Sequence, residues 1–300
     1  MKIQSLRIFL RNLVSARSAL RLLETFGGLW LLLEVTAFFS ADAANKIRPF
    51  WWAFLLLGLG IAAWGSIPRL RRRCKLNERD VCVELVVGDI FEEPGDLVVG
   101  SNTTFDTETH DNLISPSSIQ GKFTLKHFPA RSDLDSILDR ELDGKPHETV
   151  QKRGKTKRYP IGTVCSLATS SYTSYWVAIA DLNPHGAASG SFQKLRDALP
   201  ELWQHIAERG SRSSIRLPVL GSGFSRIHEP RSRIIKEMIR SFIAACSESS
   251  FCEHLLIFIH PKDFVQHEID LDEIERFLIY QCAYTDFAAQ GDRGAGTGIS

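Results

Sequence analysis

From residue 50 to residue 67 the chain runs without a single charge: F-W-W-A-F-L-L-L-G-L-G-I-A-A-W-G-S-I. A helix that crosses a bilayer needs about 20 mostly apolar residues, with about 17 as a lower bound. Trp51, Trp52 and Trp64 lie near the ends of the run, where interfacial anchors belong. An earlier apolar stretch, residues 22–40, is strongest over 26–39 and contains Glu24 and Glu34. Glu24 can sit at an interface. Glu34 falls inside and costs about 2–3 kcal/mol there if ionised and unpaired. It reads either as a passenger that snorkels or takes up a proton, or as a polar group facing a neighbouring helix or pore. Lys2, Arg7, Arg11, Arg17 and Arg21 precede the first stretch, and Arg69, Arg71, Arg72, Arg73 and Lys75 follow the second. The connection, residues 41–49, carries only Lys46 and Arg48. This bias predicts a transmembrane hairpin over residues 22–68 in the inner membrane, multi-pass, with both termini cytoplasmic. The motif Ala41-Asp42-Ala43-Ala44 imitates a signal-peptide cleavage site, but a second, cleaner span follows it. Residues 1–21 alternate apolar with basic residues and read as an amphipathic segment on the inner leaflet. Residues 69–79 read as a basic linker.

Charge divides the same way. The chain has 36 Lys and Arg against 35 Asp and Glu in 300 residues. Twelve of the basic residues lie in residues 1–75, against only Glu24, Glu34 and Asp42. A basic end on an acidic body argues against nucleic acid as a partner and for a bilayer contact confined to one end. The cysteines, Cys74, Cys82, Cys165, Cys246, Cys252 and Cys282, form no C-x-x-C pair, and no histidine stands at ligand spacing beside them. No metal site and no disulfide framework is expected; reduced, mostly buried thiols are.

Beyond residue 80 the pattern becomes that of an alternating α/β domain. Strands are expected at 81–87, 96–101, 162–169, 175–180, 214–220 and 254–260. Helices are expected after Ser115-Pro116 and at 133–142, 191–209, 230–245 and 271–280. The loop 152–158, K-R-G-K-T-K-R, reads as a solvated basic turn rather than a phosphate contact. Residues 285–300 read as a disordered tail. The fold class is α/β, a three-layer α/β/α mixed and partly parallel sheet with its ligand site at the carboxyl ends of the strands.

Three strand ends carry suggestive chemistry. Gly88-Asp89-Ile90 places a carboxylate just past a strand, where it can accept from an amino group such as that of adenine. Gly100-Ser101-Asn102-Thr103-Thr104-Phe105-Asp106 is rich in small and hydroxyl residues that leave backbone N–H groups open to an anion. Leu220-Gly221-Ser222-Gly223-Phe224-Ser225-Arg226 has two glycines two apart, so its backbone can cradle a pyrophosphate; an ordinary glycine turn reads equally well. No Walker-type lysine accompanies it.

These stretches in this order, with Asp96-Leu97-Val98-Val99 and Pro218-Val219, resemble a macro domain over residues 80–284. Joined to the apolar hairpin, and with Tyr159-Pro160-Ile161-Gly162-Thr163, the chain is similar to the macro-domain form of the Thoeris antiphage effectors. The resemblance implies a sensor rather than an enzyme, with no catalytic residues. Its ligand would be ADP-ribose or a conjugate, for example with histidine, supplied by a TIR-domain protein. It further implies a homo-oligomer that disrupts the bilayer and causes abortive infection. By motif, Asp89 takes the adenine amino group beside the Ile90 backbone, and Gly221, Ser222, Gly223 and Phe224 wrap the diphosphate. Asn102, Thr103 and Phe105 meet the distal ribose or a phosphate, with a turn-forming asparagine as the equal alternative for Asn102. The chain departs from hydrolytic macro domains, which carry an asparagine where this chain has Gly100 or Thr103, depending on the position compared, and it lacks their following glycine run. A membrane-tethered ADP-ribosyl hydrolase or ADP-ribose phosphatase is the alternative, with Asp106, Asp181 and His185 as candidate acid–base groups. A passive membrane anchor for a partner is a third.

Overall fold

A computed structural model describes residues 16–40, 42, 45–46, 48–65, 69–109, 113–182, 188–221, 227–247 and 249–285. The chain forms two compact units, Met1–Leu70 and Arg71–Ser300. The expected amphipathic segment lies mostly outside the described residues, as do residues 286–300 of the expected tail.

The first unit contains helix α1 (Ala16–Phe39), a 3-10 turn (Arg48–Phe50) and helix α2 (Trp51–Gly65). Within α1, Leu22–Phe39 is an 18-residue stretch of mean hydropathy 1.5, long and apolar enough to cross a membrane by length and composition. The α2 helix has 15 residues, about 22 Å at 1.5 Å per residue, short of the ~30 Å hydrocarbon core. Residues 66–68 lie outside the described residues, and the two apolar helices fit the expected hairpin. Arg48-Pro49-Phe50 is taken up by a tight turn, so the charge-free run starts helical only at Trp51. The stretch holding Glu24 and Glu34 makes the longer helix. The two helices meet where a side chain is missing: a Cβ on Gly58 would stand 3.2 Å from Cε2 of Phe26. Outward, Phe38, Phe39, Trp51 and Trp64 are exposed, more apolar surface than a monomer ordinarily shows to water.

The second unit is built on strands β1 (Arg71–Lys75), β2 (Cys82–Val87), β3 (Asp96–Asn102), β4 (Glu148–Thr149), β5 (Lys157–Arg158), β6 (Val164–Ala168), β7 (Thr173–Leu182), β8 (Ala188–Gly190), β9 (Ile215–Pro218) and β10 (His254–Ile259). Eight of them form one sheet in the order β1-β2-β10-β9-β3-β7-β6, with β8 beside β7; β4 and β5 pair separately. The five strands from β2 to β7 run parallel. The edge strands β1 and β6 are antiparallel to their neighbours. Part of the expected linker is thus a sheet edge: β1 pairs with β2, and Arg72 is held by Asp272 and Glu275.

Helices α3 (Ile119–His127) and α4 (Arg131–Glu141) cover one face of the sheet. Helices α5 (Phe192–Arg209), α6 (Arg231–Cys246) and α8 (Leu271–Tyr284) stack along the other, and α7 (Pro261–Gln266) follows β10. The starts of these helices are written locally. Ser118, Ser191 and Asp270 each turn a side-chain oxygen onto the first free N–H groups of α3, α5 and α8, as N-caps do. Leu195, Leu199, Leu202, Trp203 and Ile206 make the buried stripe of α5, and the Trp203 Nε1 donates to Ser241 of α6 at 3.0 Å. At the amino edge of the sheet, buried Asp96 accepts from Thr173 N, Tyr175, Ser211 and Ser213. This motif residue therefore ties β3 to β7 and to the start of β9, at the end of the sheet away from the candidate site. All six cysteines are free thiols and five are buried.

Candidate functional site

The chain leaves β3 toward β7 on one side and leaves β9 toward β10 on the other. The strand order therefore reverses between β3 and β9, and open α/β sheets bind ligands beyond the carboxyl ends of the strands at such a point. The residues that follow β2, β3, β9 and β10 lie at that end of the sheet.

After β2, Gly88 N donates to Ile259 O at 3.2 Å, which fastens the ends of β2 and β10 together. Asp89 is exposed. Its Oδ1 accepts from Phe91 N at 3.1 Å, and its carbonyl accepts from Glu92 N. One carboxylate oxygen fixes the turn, while Oδ2 has no partner among the described residues. The Ile90 side chain is buried in the core, and its carbonyl accepts from Arg216 Nη1 at 3.0 Å. Val87 is paired with Ile259, so the next residues, Gly88 and His260, lie at the same level of the sheet edge. The exposed ring of His260 caps α7 through Nδ1, which accepts from Lys262 N. The sequence reading missed His260, because nothing local separates it from any histidine ending a strand.

After β3 the backbone is closed rather than open. Ser101 through Thr107 are all buried. The Asn102 Oδ1 accepts from Thr104 N, Thr104 Oγ1 and Asp106 N at 3.0–3.2 Å, which is the turn-forming role. Its Nδ2 and the Ser101 hydroxyl are buried without hydrogen-bond partners. A one-residue register shift on β7 opposite Ser101 and Asn102 sets this orientation, as bulges beside functional sites do. Thr103 donates through its N to Ala180 O and through its hydroxyl to Asp181, and its carbonyl accepts from Tyr159 N. Thr103, an expected ligand contact, thus has its N, hydroxyl and carbonyl engaged inside the domain. Phe105, another expected contact, turns inward. Its side chain is fully buried edge-on to Tyr159, and its backbone holds φ +48.

Two candidate acid–base carboxylates are tied into the structure. The buried Asp106 accepts from Lys152 Nζ at 2.6 Å, Lys155 N at 2.7 Å and Thr104 Oγ1 at 2.5 Å. The Lys152 side chain is 4% exposed, so the loop expected as a solvated basic turn instead sends a lysine inward. Asp181 pairs with Lys194 at 2.6 Å. Burial pushes its carboxyl up, but Lys194 and the Thr103 hydroxyl outweigh it and hold the pKa low. His185 lies outside the described residues.

After β9, Leu220 is buried against Gly100, where a Cβ would stand 3.2 Å from Leu220 Cδ2 and 2.8 Å from Ile179 Cδ1. Gly221 has φ +72, and any Cβ on it would collide with Ile227. Ile227 N donates back to Gly221 O at 3.3 Å. Gly221 and Ile227 are therefore pinned against each other. Ser222, Gly223, Phe224, Ser225 and Arg226, the rest of the expected phosphate cradle, lie outside the described residues. Beside the Gly221–Ile227 contact, a cavity of about 520 Å³ is lined by His228, Arg231 and Ser232 from the start of α6 and by His267 and Asp270 before α8. Among the described residues no group of three His, Cys, Asp or Glu side chains is placed to hold a metal ion.

A mixed sheet in this strand order with helices on both faces makes the second unit an α/β/α domain of the macro-domain class. The particular family follows from the sequence. The family described as "Thoeris protein ThsA, Macro domain" matches residues 83–260, more than half of the chain, and the chain belongs to it. No curated protein sequence matches. Similar solved structures include the Oceanobacillus iheyensis macrodomain with MES bound, at 17% identity and TM-score 0.49, covering 70% of this chain and 99% of that one. The same macrodomain with ADP matches at 17% and 0.49, covering 70% and 98%. The Trypanosoma brucei macrodomain in complex with ADP-ribose matches at 11% and 0.41, covering 62% and 67%.

Proposed function

We propose that this chain is a signal-gated membrane effector of antiphage defence. Its macro domain binds an ADP-ribose-type signal made by a TIR-domain protein, a histidine conjugate being one form, and ligand binding drives assembly of the apolar hairpins. Two helices per chain cannot enclose a pore, so disruption of the inner membrane, and the abortive infection that follows, requires a homo-oligomer. The ligand acts by binding the assembled state more tightly than the resting one.

One observation carries the ligand reading. In a member of the ThsA macro-domain family, a carboxylate with one unpartnered oxygen and a glycine held at positive φ stand just past the carboxyl ends of β2 and β9 in one parallel sheet. Asp89 Oδ2 receives the adenine amino group, and the loop from Gly221 to Arg226 wraps the diphosphate. No observation favours the hydrolase reading, because Asp106 and Asp181 are held by lysines.

Calorimetry on the detergent-solubilised full chain tests the proposal, with ADP-ribose, its histidine conjugate and NAD as titrants. Binding of at least one ADP-ribose compound is expected, weakened about 10- to 100-fold by Asp89→Ala, as for loss of a charged hydrogen bond. Dye release from reconstituted vesicles should follow addition of that ligand. A chain indifferent to all three compounds overturns the proposal, and retention in membranes after alkaline extraction tests the hairpin separately.

A further inference from the structure

Arg216 is the one arginine among the largest fully buried side chains, 2% exposed, on β9. It pairs in register with Leu97 and Leu256 on the two neighbouring strands, in the middle of the sheet. No carboxylate forms an ion pair with it among the described residues; nearby Asp96 accepts from Thr173, Tyr175, Ser211 and Ser213 instead. A guanidinium keeps its charge when buried, and an interior charge without a counter-ion is expensive. An aliphatic side chain would fill this position more cheaply, so the contacts that only a guanidinium makes explain its presence.

Those contacts converge on one loop. Nη1 donates to Ile90 O at 3.0 Å and Nη2 to Gly95 O at 2.5 Å. The two carbonyls bracket residues 91–94, the segment that follows Asp89. The planar group lies over the Tyr172 ring at 4.4 Å, and the Tyr172 hydroxyl is 2.7 Å from His127 Nε2 on α3. The guanidinium is thereby fixed from below while its fork holds both ends of the loop. Asp89 in turn is oriented by a bond from Phe91 N, inside that bracket.

We propose that Arg216 is the positioning residue for Asp89: by clamping Ile90 and Gly95 it holds the free carboxylate oxygen where it discriminates adenine from bases that lack the amino group. The inference rests on the adenine reading of Asp89 and adds the determinant of its selectivity. Arg216 is buried beneath the loop and acts through Ile90 and Gly95, so its effect appears in the preference between ligands rather than in binding as such.

The test compares ADP-ribose with inosine diphosphate ribose, which carries an oxo group in place of the amino group, on the detergent-solubilised full chain. The wild type is expected to prefer ADP-ribose about tenfold or more, the yield of one charged hydrogen bond. In Arg216→Met the preference collapses toward unity while affinity for the inosine analogue changes little. Arg216→Lys, which reaches one carbonyl but not both, falls between. If the Met variant does not fold, the Lys variant decides, with the same direction expected. The double variant Asp89→Ala, Arg216→Lys should discriminate no less than Asp89→Ala alone, because the two act through one contact. Equal weakening of both nucleotides in the Arg216 variants, or an unchanged preference, overturns the inference and leaves the adenine reading intact. A wild type that binds both nucleotides alike, or neither, overturns the adenine reading and the Arg216 inference with it.

Discussion

Lys152 and Asp106 form a buried ion pair that joins the segment after β3 to the basic loop, with Lys155 N and Thr104 Oγ1 completing the carboxylate's hydrogen bonds. Removing one member of such a pair leaves the other charge without compensation, at about 3–5 kcal/mol. Lys152→Met should therefore lower the melting temperature sharply, and adding Asp106→Leu should recover part of the loss; a surface lysine would show neither effect. His205 predicts a different signature. Burial, with Lys145 and Arg209 adding to it and Glu141 and Glu208 opposing, pushes its imidazole down to about 4 from 6.5. Between those values the unfolded chain binds the proton and the folded chain does not, so stability falls as pH drops through the window and is flat above it. His127, lowered by burial with Lys126 and Arg216, acts in the same direction below 6.5. The lowered carboxyls of Asp135 and Asp181 act only below the His205 window. Thermal melts from pH 7 to 4.5 should show His205→Gln with a shallower decline than wild type. Asp89 was legible in sequence because a Gly-Asp turn after a strand is local. Arg216 and Lys152 were not, because their acceptors lie 126 and 46 residues away along the chain.

At the scale of elements, most of the second unit can be read from periodicity. Apolar stripes mark α5 and α6, β-branched runs mark β2 and β10, and a turn between two such runs marks β6 with β7. Elements made by tertiary pairing cannot be read this way. The strand β1 is Arg-Arg-Arg-Cys-Lys, with no apolar alternation, and it is extended only because β2 offers it an antiparallel edge and α8 offers carboxylates to Arg72. The segment after β3 looked open because small polar residues can present N–H groups to an anion; in the fold its side chains use those groups themselves. The Gly221 turn was visible as sequence, but its function as a pinch depends on Ile227 returning across it. Gly221→Val adds a Cβ that meets Ile227 and forces a β-branched residue into positive φ, at about 1–3 kcal/mol. Calorimetry should find ADP-ribose binding weakened at least about tenfold, with a fall in melting temperature of only a few degrees.

For the whole molecule, the proposed function requires that a ligand on one unit change the state of the other. The ligand shifts an equilibrium only by its preference for one state. Moving a population from about 1:99 to 99:1 takes a preference of about 10⁴-fold. A macro domain whose affinity is the same in dispersed and assembled chains can therefore signal nothing, however tightly it binds. The expected outcome is tighter ADP-ribose binding in vesicles at high protein density than in a detergent that keeps chains apart, with dye release rising over the same range of density. The helical unit supplies the complementary test. A Cβ on Gly58 would stand 3.2 Å from the Phe26 ring, a tight contact, so the branched side chain of Gly58→Leu should push α1 and α2 apart without touching the sheet. ADP-ribose affinity in detergent should be unchanged and ligand-triggered dye release lost. If dye release survives Gly58→Leu, close packing of the two helices plays no part in membrane damage. If affinity in detergent falls with release, the two units are coupled before any assembly takes place.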